Sequence, residues 1–144
     1  MRILLILALT LASGLSMAQE LSHKDKIIDH IGQDRFDKLS QNNSPSLLFM
    51  NERVEMGYSI VELEDEKSAG FEKLDQITFS NLDKTSTNVS IVDFLEMHET
   101  GNLNILRVQL AYSQSGFTYY KLGNTGKVLV LHSVESITKS LNNK

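Results

Sequence analysis

Residues 117–132 read Phe117-Thr118-Tyr119-Tyr120-Lys121-Leu122-Gly123-Asn124-Thr125-Gly126-Lys127-Val128-Leu129-Val130-Leu131-His132, two strands joined by a tight turn. Tyr, Phe, Thr, Val and Leu suit a pleated, half-buried surface, and Gly123-Asn124-Thr125-Gly126 supplies the residues that tolerate turn dihedrals. Two registers compete. A type I turn at Asn124-Thr125 with Gly126 left-handed pairs Gly123 with Lys127, Leu122 with Val128 and Tyr120 with Val130. A two-residue turn at Asn124-Thr125 sets Leu122 against Lys127, and such a slip turns a strand's side chains to the opposite face. The first register is preferred, because glycine suits its left-handed position and apolar residues meet apolar ones.

Working outward, Leu106, Val108, Leu110 and Tyr112 alternate with Ile105, Arg107, Gln109 and Ala111, the period of two that marks a strand with unlike faces. Ser113-Gln114-Ser115-Gly116 then turns the chain into the hairpin, which predicts a three-strand antiparallel meander over 103–132. With Gln114 and Ser115 as a two-residue turn, Leu106, Val108, Leu110, Tyr112, Phe117, Tyr119, Leu129 and Leu131 form the core face. The opposite face carries Arg107, Gln109, Tyr120 and His132 among apolar neighbours. Aromatic and arginine side chains bury area while keeping a polar handle, so these four are the candidate partner-binding residues.

The rest of the chain predicts helices. Ile27, Ile28, Ile31, Phe36 and Leu39 recur at helical spacing over 21–39, with a break near Gly32 and Ser22 as N-cap. Ser44-Pro45 opens a second helix over 45–56, which Gly57 ends. Residues 58–63 read as a short strand, Glu64-Asp65-Glu66-Lys67 as a solvated loop, and 74–80 as a weak strand. Ser90 caps a helix to about residue 100, with Asp93 placed to reach back, and Ser133 caps a last one carrying Val134, Ile137 and Leu141. Helices and strands segregated in this way predict an α+β fold: an antiparallel sheet built on the C-terminal meander, with helices packed on one face.

The first 18 residues combine a positive start at Arg2, the apolar run Ile3 to Ala12 and the small-residue end Ser16-Met17-Ala18. These are the three parts of a secretory signal peptide, with cleavage expected after Ala18. The apolar run is about half the ~20 residues that a spanning helix needs, so no membrane anchor is expected after cleavage. Residues 19–144 then form a single domain. Without Arg2 the mature chain has one basic residue fewer than the 14 of the full chain, against 18 acidic ones. Neutralising phosphates takes a basic patch, and none is visible, so nucleic acid is not an expected partner. The chain has no cysteine. Packing alone must hold the exported domain together, and a lipidated cysteine at the cleavage site is excluded.

The blocks Ile31-Gly32-Gln33-Asp34-Arg35-Phe36, Asn43-Ser44-Pro45, Gly57-Tyr58, Val92-Asp93-Phe94-Leu95, Asn104-Ile105-Leu106 and Tyr119 through Leu129 carry a resemblance. The chain resembles small exported proteins of Bacteroidota that have no assigned activity. The resemblance covers most of the mature chain, implies an envelope location and brings no catalytic residues with it.

Reactive constellations are few. Gly123 to Lys127 lacks the glycine spacing of a phosphate loop, has Val128 where Ser or Thr belongs, and leads into a strand rather than a helix. His30 and Asp34 share a helix face but read as solvated surface, so neither a metal nor another cofactor is expected. His98 and His132 are the remaining acid–base candidates. No serine sits in a Gly-x-Ser-x-Gly turn, and cysteine nucleophiles are impossible. The expectation is therefore an exported, non-catalytic binding or accessory protein of the bacterial cell envelope, periplasmic or extracellular, with a protein or small-molecule partner. The alternatives are a small secreted hydrolase using His98 or His132 and an inhibitor of an exported enzyme.

Overall fold

Short polar residues start three of the helices. Ser44, Ser90 and Ser133 stand in extended conformation, and their hydroxyls accept the amides of Ser46, Asp93 and Ser136, which removes orphan donors at each start. The computed structural model describes residues 20–63, 79–82 and 89–144, with backbone alone over 79–82. The expected signal peptide, the run Glu64-Asp65-Glu66-Lys67 and residues 74–78 lie outside the described residues.

Among the described residues the order is α1 (Lys24–Ile31), α2 (Gln33–Gln41), α3 (Pro45–Met56), β1 (Tyr58–Glu62), β2 (Phe79–Leu82), α4 (Ile91–Glu99), a 3-10 turn (Ile105–Arg107), β3 (Phe117–Leu122), β4 (Lys127–His132) and α5 (Val134–Asn142). This is the α+β class read from the sequence. The break between α1 and α2 falls at Gly32. Ser22 is not the cap of α1. His23 stands at that position with no side-chain cap bond, and Asn51 of α3 accepts the His23 amide at 2.9 Å, tying the first helix to the third. Gly57 ends α3 with an ordinary φ of −75°. Its reason is space, since a Cβ there would lie 2.4 Å from the Arg53 carbonyl oxygen.

The sheet runs β1-β4-β3-β2. Its first three strands are antiparallel, and β2 adds to β3 in parallel. The antiparallel trio is therefore not the expected meander. Its third strand is β1, not residues 103–112. The burial pattern explains why: Leu103, Ile105, Leu106 and Val108 are all buried, and the adjacent pair 105 and 106 cannot both come from one face of a strand. Side chains and short local backbone turns, not a sheet ladder, satisfy this backbone. Asn104 accepts the Leu106 amide at 3.2 Å and donates to the Lys26 carbonyl at 2.8 Å, while Lys26 Nζ reaches the carbonyls of Gly101 and Leu103 at 3.0 and 2.7 Å. A local asparagine bond offers the chain an alternative to a ladder, and here it wins.

The hairpin takes the register that the sequence reading did not prefer. Tyr119 pairs with Val130 and Lys121 with Val128, which, continued one step, sets Leu122 opposite Lys127. Both Gly123 and Gly126 have positive φ, at +54° and +72°, so the loop spans 123–126. Thr125 closes it: its hydroxyl donates to the Leu122 carbonyl at 2.6 Å and accepts the Lys127 amide at 3.2 Å. Packing decides between the registers. The observed one puts Leu122, Leu129 and Leu131 on one face, all fully buried with Ile27, Phe36, Leu47, Val54 and Phe94 of the helices. The other would turn Leu122 away from that core, and burying a leucine contributes about 1.5–3 kcal/mol. Tyr120 consequently packs toward the core, whereas Phe117 and Tyr119 share the reverse face with Val128, Val130 and His132.

The left-handed glycine at 126 makes a clean test, because a Cβ there would meet nothing within 4 Å. Gly126→Val is expected to cost about 1–3 kcal/mol of stability from backbone strain alone, and Gly126→Asn distinctly less. Equal urea midpoints for both variants and the parent would contradict this loop.

Candidate functional site

Helix α3 carries the run Leu47-Leu48-Phe49-Met50. Four consecutive apolar residues span more than one side of a helix, so they cannot all enter one core. Leu47 and Val54 face the interior. Leu48 and Phe49, half-buried, instead line a groove of about 730 Å³ bounded by α1, α2, α3 and α5. Ile31, Leu39 and Leu141 continue its apolar wall. The volume falls within the range of small-molecule sites, which run to roughly 300–1,000 Å³.

The polar lining is sparse: His30 and Arg35 from the first two helices, Ser46 from α3, and Thr138 and Asn142 from α5. Among the described residues no carboxylate lines the groove. Arg35 is exposed and forms no ion pair with a carboxylate among the described residues. Burial, with the charges of Arg53 and Arg35, holds the His30 imidazole below its ordinary pKa, Asp29 pulling against them. That end of the groove therefore carries the Arg35 guanidinium and the His30 imidazole, although the whole chain is acidic.

Below this end, the Arg53 guanidinium stacks 3.7 Å over the Tyr112 ring. Burial pushes the Tyr112 phenol up, and the Arg53 charge offsets part of that rise. One turn beyond Leu48 and Phe49, on the same side of α3, Glu52 is buried, accepts a hydrogen bond from the Ser140 hydroxyl and pairs with Lys144 Nζ at 2.6 Å. These contacts dock α5 on α3 and so hold the groove's two outer walls in place.

The four candidate residues of the expected partner-binding face do not form one surface. Tyr120 faces the core, and His132 lies on the reverse face of the sheet, its ring 5.2 Å from Phe117. Arg107 sits at the end of the 3-10 turn and pairs with Asp29 of α1 at 3.3 Å, and Gln109 is exposed in the segment that follows. The strand that was to carry Arg107 and Gln109 beside Tyr120 is absent, and the register shift moves Tyr120 to the other side.

Neither histidine considered for acid–base work is set up as a general base. His98 meets the Tyr58 hydroxyl at 3.5 Å and the edge of its ring, and no serine or carboxylate bonds to His98 or His132 among the described residues. Burial lowers the His132 pKa. Among the described residues no cluster of three or more His, Cys, Asp or Glu side chains is placed to hold a metal ion, and His30 and Asp34 are both exposed. No helix among them is long and apolar enough to cross a membrane.

The sequence reading missed the groove. Its signal was the four-residue apolar run, which exceeds what one face of α3 can bury. Comparison with protein-family models, curated proteins and solved structures finds no match.

Proposed function

We propose that this chain is an exported, non-catalytic binding protein of the bacterial cell envelope, and that it holds a small apolar ligand in the groove between α1, α2, α3 and α5. The observation that carries the reading is the groove itself: about 730 Å³, walled by Leu39, Leu48, Phe49 and Leu141, with few polar groups. Mostly apolar pockets with a small number of placed polar groups are what small-molecule sites look like. The three-part signal sequence supports export, and the resemblance to small exported proteins of Bacteroidota agrees with it.

Nile red, a neutral apolar dye, tests the site. The secreted protein, whose mass should correspond to a chain starting at Gln19, is expected to bind it saturably with blue-shifted emission. Leu48→Asp should abolish that emission with little change in melting temperature, because Leu48 lines the groove and lies outside the buried core. Unchanged dye binding in a folded Leu48→Asp protein would remove the groove as the site.

A further inference from the structure

Resting on the groove as the ligand site, we infer that its occupant is a single-chain anionic amphiphile of the fatty-acid type, with its carboxylate held by Arg35 and its chain laid along Leu39, Phe49 and Leu141. Three observations converge on this class. Ile31, Leu39, Leu48, Phe49, Met50 and Leu141 make most of the wall apolar, which suits an alkyl chain. Among the described residues the ionisable groups in the lining are His30 and Arg35, both capable of positive charge and neither balanced by a lining carboxylate. Arg35 has no ion-pair partner among the described residues, so its planar guanidinium can take a carboxylate through two parallel hydrogen bonds.

Charge complementarity also separates this ligand from its neighbours in chemistry. A cationic amphiphile would meet Arg35 and the Arg53 field, while a neutral one would leave Arg35 without a partner. Arg35 stands at the groove's edge next to solvent, so the head group can remain partly hydrated while the chain is covered. His30 lies at the same end. Burial and the neighbouring arginine charges lower the pKa of its imidazole, which adds a hydrogen-bonding group beside the head.

The test titrates the secreted protein by calorimetry with decanoate and with decanol, which share a chain and differ in the head. Decanoate is expected to bind at least about tenfold more tightly, the size of one charge-assisted contact. Arg35→Gln should erase that preference and leave decanol binding as it was, and Arg35→Lys should keep part of it. Leu48→Asp should abolish both. Melting temperatures of all variants confirm folding. Equal affinity for the two heads in the parent would overturn the anionic ligand while leaving the groove as an apolar site. Binding of neither, with Nile red also excluded, would overturn the groove reading itself. Self-association of the parent in sedimentation, lost in Leu48→Asp, would make a second copy of the chain the occupant and overturn the inference.

Discussion

Phe94→Ala is expected to cost about 3–5 kcal/mol of unfolding free energy, the range for emptying a buried aromatic site. Phe94 is 0% exposed in the middle of α4 and belongs to the cluster formed by Ile27, Leu47, Leu103, Ile105 and Leu129. Helix α4 has few other ways to dock. Its remaining buried residue is Ile91, and its capping serine fixes where the helix starts, not what it packs against. A domain is typically stable by about 5–15 kcal/mol, so the loss is a large fraction of the total. Val92 in the same helix is 70% exposed, and Val92→Ala should fall within about ±0.5 kcal/mol. Urea midpoints for the pair would check this. A Phe94→Ala cost below about 1 kcal/mol would mean that α4 does not pack as described.

The second large effect is expected at Glu52, a carboxylate that is 2% exposed on α3. Burial alone pushes its carboxyl up, but the hydrogen bonds from Lys144 and Ser140, with the Lys144 charge, outweigh that and hold it below its ordinary value. Glu52→Ala removes all of these and leaves the Ser140 hydroxyl facing the space. The expected cost is about 1–3 kcal/mol, below the full value for a broken buried pair, because the Lys144 side chain is 41% exposed and regains water. Because the folded pKa lies below the unfolded one, the carboxylate's contribution is fully present above about pH 4.5 and is lost as pH falls below that value toward the folded pKa. Glu52→Gln should flatten that part of the acid-side loss while keeping the side chain's volume. Identical acid profiles for the parent and Glu52→Gln would show that the Lys144 contact carries no stability. Since the same contacts dock α5, Glu52→Ala should also weaken Nile red binding at temperatures well below its melting point.

Local chemistry in the sequence determined the elements. Serine caps at 44, 90 and 133, Pro45 in the first turn of α3 and Gly57 at its end each act within a few residues, so the helix boundaries they set were readable without the fold. The same holds for the two strands of the hairpin and for the left-handed Gly126. Tertiary structure decided what these elements face. Residues 103–112 alternate like a strand, yet Lys26 of α1, some 75 positions away, donates to the Gly101 and Leu103 carbonyls, and Asn104 donates back to the Lys26 carbonyl, contacts that no local pattern reports. The hairpin register turned on whether Leu122 joins Leu129 and Leu131 in one core, a choice among nearly equal turns made by packing. That choice carried Tyr120 inward and dissolved the expected partner-binding face. The groove arose the same way: Leu48 and Phe49 were plainly apolar, but only the docking of α5 through Glu52, Ser140 and Lys144 leaves them beside a cavity instead of in the core.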